Sequence, residues 1–180
     1  MKRYIALLRG VNVGRANRIA MADLRATATA LGYTEPRTLL NSGNLLFSAS
    51  KAAAAKADTD LQSALGRHGV AARVIVLPLD RLRRIVAANP FAGVATDPAR
   101  LLVAIFAGDV PAPVTALVDQ DWSPDSFAIA EGAGFLWCAG GILESRLAKV
   151  FARAAGDATT SQNLATMMKL AASYAASYGR

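Results

Sequence analysis

The stretch "RTLLNSGNLLFSA" (Arg37 to Ala49) decides the fold. Two short apolar segments, Arg37 to Leu40 and Leu45 to Ala49, flank the tetrapeptide Asn41-Ser42-Gly43-Asn44. Asn, Ser and Gly are the residues that reverse a chain tightly, so the pattern reads as a β-hairpin. What lies around the hairpin fixes its place in a larger order. Upstream, "YIALLRG" (Tyr4 to Gly10) is apolar but too short for a helix before its glycine, and residues 3–9 read as a strand. Met21, Leu24, Ala28 and Leu31 then form a helical stripe that Gly32 ends. Downstream, Lys51 to Arg67 is alanine-rich and helical, and "AARVIVLPL" (Ala71 to Leu79) is a strand. The order strand, helix, strand, strand, helix, strand is that of a split βαβ, ferredoxin-like unit.

After a helix at Arg81 to Ala88, for which Asp80 offers a cap, "NPFAGVATDP" (Asn89 to Pro98) reads as a linker. The second half starts the same way. "RLLVAIFAG" is a strand, Val114 to Val118 a short helix, and "SFAIA" and "FLWCA" a hairpin across Glu131 to Gly134. Leu143 to Ala154 is helical. No apolar strand follows; Asn163 to Tyr178 reads as a second helix. The expected fold is therefore α+β, with two related ferredoxin-like halves at residues 1–90 and 99–180. The second is expected to lack its last strand and to end in a helix.

In such a unit the first and third strands are neighbours, and the loop after the first strand lies at the same end as the hairpin turn. That places "RGVNVGRANR" beside "NSGN". Arg9, Asn12, Arg15, Asn17, Arg18, Asn41, Ser42 and Asn44 would then share one polar rim. Arg offers a planar donor fork to phosphate or carboxylate, and Asn supplies both donor and acceptor. The first turn of the following helix adds backbone N–H groups. The loop matches neither the dinucleotide fingerprint nor the P-loop. The same residues have a purely structural use, since Asn and Gly build turns and Arg can bond loop carbonyls.

Charge favours an anionic ligand. Of 180 residues, 20 are Lys or Arg and 13 are Asp or Glu, a net charge of +7. Residues 1–90 hold 14 basic against 5 acidic side chains, and residues 91–180 hold 6 against 8. A basic half attracts phosphates or acidic partners, and it also serves as a solvated face. A hydrophobic content of 53% is ample for a buried core.

Other chemistry has little support. The single cysteine, Cys138, excludes an intrachain disulfide and a cysteine zinc site, which fits a cytoplasmic location. Arg9 cuts the N-terminal apolar run too short for a signal peptide, and no stretch is long enough to span a membrane. The only histidine, His68, sits at a helix end. Asp119, Asp121 and Asp125 lack the spacing of a calcium loop and read as solvated. Ser145, Arg146 and Lys149 begin a helix after Gly140-Gly141, and Thr159 to Asn163 opens the last helix; N-caps explain both polar helix starts, and docking near the first-half rim is the alternative. No metal and no cofactor is implied.

"RGVNVGRANRIAMADLR" followed by "RTLLNSGNLLF" resembles the bacterial family known as domain of unknown function 1697. The likeness continues at "ANPF", at Ser145-Arg146-Leu147 and at "TSQNLATMMKL", so it covers essentially the whole chain. The matching residues are Arg9, Gly10, Asn12, Val13, Gly14, Met21, Leu24, Ser42, Gly43 and Asn44, then Ser145, Leu147, Thr160, Asn163, Thr166 and Lys169. The chain departs from the pattern at Arg15, where the family usually has Gly, and near the C-terminus, where Gln162 and Leu164 stand in place of Arg and Trp. The resemblance implies a compact α+β fold of two related halves and implies no activity.

Three functions stay open on these residues. One is a binding module whose Arg9, Asn12, Arg15, Asn17, Arg18, Ser42 and Asn44 contact a phosphate-bearing ligand such as nucleic acid or a nucleotide. Another is a small-molecule enzyme using the same rim, for which no general base with a partner is visible. The third is a structural or partner-binding protein, a homodimer through its C-terminal helix.

Overall fold

A computed structural model describes residues 1–13, 17–40 and 43–173. It contains two four-stranded antiparallel sheets and, among the described residues, seven helices. The chain divides into two compact units, Met1–Asp80 and Arg81–Arg180.

The first unit runs β1 (Lys2–Arg9), α1 (Met21–Ala30), β2 (Thr34–Leu39), β3 (Asn44–Ala49), α2 (Lys51–Ala54), α3 (Ala57–Arg67) and β4 (Arg73–Pro78). The sheet order is β2-β3-β1-β4. β1 is interior, antiparallel to β3 on one side and to β4 on the other. Its apolar run is unbroken because both of its faces are buried. Tyr4, Ala6 and Leu8 point into a core with Leu45, Phe47 and Ala49 of β3, Leu24 and Ala28 of α1, and Leu61 and Leu65 of α3. Ile5 and Leu7, on the other face, are fully buried too. Each such Leu or Ile contributes about 1.5–3 kcal/mol through its removal from water.

Phe47 is the centre of the core, with Tyr33 stacked at 4.5 Å and Tyr4 at 5.9 Å. The Tyr33 hydroxyl is buried without a hydrogen-bond partner, and burial, with Asp60 and Asp58 adding to it, pushes its pKa up to about 12. The helix read across residues 51–67 is in fact two. Ser50 caps α2 by accepting from the Ala53 N–H, and the chain breaks at Lys56 before α3. Alanine favours helix throughout this segment, so its composition gives no sign of the break.

The second unit contains α4 (Leu79–Ala87), which begins two residues before the unit boundary, then β5 (Leu101–Phe106), α5 (Ala112–Thr115), β6 (Ser126–Ala130), β7 (Ala133–Trp137), α6 (Arg146–Ala155), β8 (Thr159–Asn163) and α7 (Leu164–Ala172). Its sheet order is β6-β7-β5-β8. The expectation that this half lacks its last strand is wrong. Thr159 to Asn163 pairs with β5 from Phe106 back to Leu102. The segment "TTSQN" has no apolar alternation to announce a strand. Backbone bonds to β5 hold it there, with Thr159 and Thr160 buried. The expected final helix loses its first residue to this strand: Asn163 caps α7 by accepting from the Thr166 N–H. Similarly, α6 starts at Arg146 rather than Leu143, and α4 includes Asp80 in its first turn instead of being capped by it. No helix among the described residues is long and apolar enough to cross a membrane.

The first loop and the hairpin turn do converge. The Leu8 N–H donates to the Gly43 carbonyl at 3.3 Å, and Leu7 faces Asn44 across the β1–β3 ladder. Gly43 has φ +80°, and a Cβ there would collide with the Val11 side chain. Both facts demand glycine. Gly43→Ala is expected to lower stability by about 2 kcal/mol or more, from overpacking plus a disfavoured φ. Gly66→Ala, in the last turn of α3 with open space around it, is expected to raise stability by about 0.5–1 kcal/mol. Urea unfolding of the two variants measures both, and equal effects would contradict the loop packing.

Candidate functional site

The loop leaving β1 is closed by a side chain. Asn12 has φ +56°, a conformation Asn tolerates better than most residues. Its Nδ2 donates to the Ile19 carbonyl at 3.1 Å, and its Oδ1 accepts from the Ile19 N–H at 2.9 Å. One amide thus meets both backbone groups of one residue, as a neighbouring strand would. The Asn12 backbone N–H also donates to the Asn17 carbonyl at 2.9 Å. Asn17, with φ +52°, accepts from the Ala71 N–H at 3.2 Å through Oδ1. Val11 and Ile19 are buried and anchor the loop from below.

This arrangement separates the expected rim residues by role. Asn12 and Asn17 fasten the loop to itself and to the approach of β4. Asn44 is fully buried, with Nδ2 donating to the Leu39 carbonyl at 3.4 Å across the hairpin. Arg9 and Arg18 are exposed. Arg15, Asn41 and Ser42 lie outside the described residues.

Arg73 is a cation the sequence reading passed over. It is exposed and directly opposite Arg9 on neighbouring antiparallel strands. Like charges in that position destabilise a sheet unless an anion lies between them. The signal was available: with β1 and β4 antiparallel, the last residue of one falls beside the first of the other. Between Asn12 and the start of α1 lies an open depression of about 340 Å³, lined by Asn12, Arg18, Ile19, Ala20 and Met21. The N-cap of α1 is Ala20, and among the described residues no side-chain cap bond is made at that end. Asp23, in the first turn, lines a different hollow with Ala26, Thr27, Ala30 and His68.

The second unit holds a polar cluster of another kind. Asp125 accepts from the Ala139 N–H at 2.9 Å and from the Ser145 hydroxyl at 2.7 Å. The Ser145 oxygen in turn accepts from the Ala148 N–H and caps α6. Asp125 is therefore a half-buried loop anchor and not the solvated residue its neighbours suggested. The Arg146 guanidinium lies 4.7 Å above the Trp122 ring and donates to the Asp121 carbonyl at 2.9 Å. Asp121 is held below the usual carboxylate range by the Ser123 backbone N–H, then by the Ser123 hydroxyl and Arg146. Burial pushes the Cys138 thiol up, away from the nucleophilic form. A cavity of about 220 Å³ opens here, lined in part by Trp122, Gly140, Glu144 and Arg146. Asp125 thus ties the Ser145 cap of α6 to the Ala139 backbone, and the cluster holds these turns together.

The fold is that of a mixed α/β protein with two four-stranded antiparallel sheets. The family described as "Protein of unknown function (DUF1697)" matches residues 1–135, and the chain belongs to that family. A similar solved structure is that of the conserved bacterial protein SP0830 from Streptococcus pneumoniae, with a TM-score of 0.69 and 22% identity over 94% of this chain and 97% of that one. At that identity the likeness shows the fold. No curated protein matches the chain.

Asn12→Ala is expected to lower stability by about 1–3 kcal/mol, because it strips two partners from the Ile19 backbone. Asn12→Asp restores only the acceptor. Its carboxyl can donate to the Ile19 carbonyl only while protonated, so this variant should be most stable at acid pH and lose stability as pH rises through the carboxyl range. Thermal melts across pH check this, and a pH-independent Asn12→Asp defect would contradict the clamp.

Proposed function

We propose that the first unit binds a phosphate-bearing ligand, a nucleotide or nucleic acid, at the loop between β1 and α1. The observation that carries this reading is the depression at the uncapped start of α1, with Arg18 in its wall. A helix N-terminus without a side-chain cap offers backbone N–H groups and a positive dipole end to an anion. Arg18 adds a charged donor fork, and Arg9 with Arg73 forms a second exposed cationic pair at the end of the same sheet. The Asn12 clamp and the Asn17 tie hold the loop in place before any ligand arrives, which lowers the ordering cost of binding. Arg15 and Ser42 belong to this reading by their place in the sequence.

Each unit is, on the same proposal, a ferredoxin-like split βαβ half of a duplicated ancestor. The support is the equivalent strand order, in which the first strand of each unit lies between its third and its fourth.

The test is fluorescence polarisation with a labelled single-stranded oligonucleotide and with nucleoside triphosphates, repeated over a salt series. Binding should weaken steeply with salt, as phosphate contacts require. Arg18→Ala should weaken it by about 1–3 kcal/mol while the chain stays folded by circular dichroism. Absence of binding to every phosphate probe at low salt, or full binding by Arg18→Ala, overturns the reading.

A further inference from the structure

One edge of the second sheet, β6, lies in a different unit from the proposed ligand site. β6, "SFAIA", ends the sheet and pairs with β7 alone among the described residues. Its five pairs run without a bulge, from Ser126–Trp137 to Ala130–Ala133. Glu131 and Gly132, both at positive φ, form the two-residue turn. The residues flanking such a turn form a hydrogen-bonded pair, and the pairs alternate from there. Ala130, Ala128 and Ser126 therefore bond inward to β7. Phe127 and Ile129 direct their N–H and C=O groups outward.

Edges of sheets are normally blunted by charge, proline, bulges or a covering group. The first sheet does this at both sides. β2 carries Glu35 at φ +51°, Pro36 and a register shift. At β4, the Val74 N–H donates to the Gln62 side chain at 2.9 Å. The other edge of the second sheet, β8, is polar throughout. β6 has no charge, no proline and no bulge.

We propose that β6 pairs antiparallel with β6 of a second copy of this chain, about a two-fold axis through Ala128. In that register Phe127 faces the second copy's Ile129 and Ile129 its Phe127. The four outward groups on each strand are the four the other strand needs. Ala128 meets Ala128 in the close, non-hydrogen-bonded position, which its small side chain suits.

Charge supports the antiparallel sense. The turn end of β6 carries Arg84, beside Glu131 at 3.6 Å, and Arg81, whose guanidinium lies over Gly132. The opposite end carries Asp125, directly before β6, and exposed Asp121, with Arg146 bonded to the Asp121 carbonyl. A two-fold brings the basic end of each copy to the acidic end of the other. The directly opposed acids, Asp125 and Glu131, are already engaged, Asp125 by Ala139 and Ser145 and Glu131 by Arg84. Two five-residue strands are a small interface, so the dimer is weak and concentration-dependent.

Sedimentation equilibrium of the full chain over a concentration series tests this. Wild type should pass from monomer to dimer. Ala128→Lys and Ala128→Glu should each raise the dissociation constant by about tenfold or more, with unchanged circular dichroism, and an equimolar mixture of the two should dimerise again. Amide exchange of wild type gives a readout that needs no variant: Phe127 and Ile129 should gain protection as concentration rises. A monomer at every concentration, a dimer indifferent to both charges, or protection at these amides that does not change with concentration overturns the proposal. Protection that appears only on adding an unrelated extended peptide also overturns self-pairing.

Discussion

β1 is the constraint on which the first unit rests. It is hydrogen-bonded on both edges and buried on both faces, so its register has one solution. A slip of one residue would exchange Tyr4, Ala6 and Leu8 for Ile5, Leu7 and Arg9 on the face that meets α1 and α3. A guanidinium would then be driven toward a dry core, at a large desolvation cost. The same fixed register puts Arg9 beside Arg73 and sends the chain into the loop at a set height. The position of the loop follows from the packing of the strand that leads into it.

Loop and hairpin are then joined by shape. Val11 fills the space above Gly43, and the Leu8 N–H reaches the Gly43 carbonyl. Asn12 does for the loop what a strand would do for a strand, satisfying both backbone groups of Ile19. The amides that look most like ligand contacts in the sequence, Asn12, Asn17 and Asn44, are the ones that hold the scaffold.

Much of this was legible in the residues. The apolar run at Tyr4 to Leu8, the stripe from Met21 and the Asn-Ser-Gly-Asn turn give the element order of the first unit, because periodicity and turn chemistry are local properties. The meeting of the two loops also followed, since it is a consequence of that order. β8 was not legible. A strand of Thr, Ser, Gln and Asn is chosen by its partner's open edge and not by its own pattern. The division of labour among the asparagines was equally hidden, because an amide's partner 7 or 54 residues away is set by tertiary structure. Asp125 was misread for the same reason: its two donors, Ala139 and Ser145, come from distant turns of the chain.

The proposed function needs the start of α1 and the loop before it to seat a phosphate. Titration of isotope-labelled protein with inorganic phosphate, followed by amide resonances, tests this most directly. A phosphate seated there should give saturating shifts concentrated at the N–H groups of Met21 and Ala22 and at Arg18, with the β1 and β3 amides unmoved. Shifts absent at those three residues, or spread evenly over every basic side of the molecule, would contradict it.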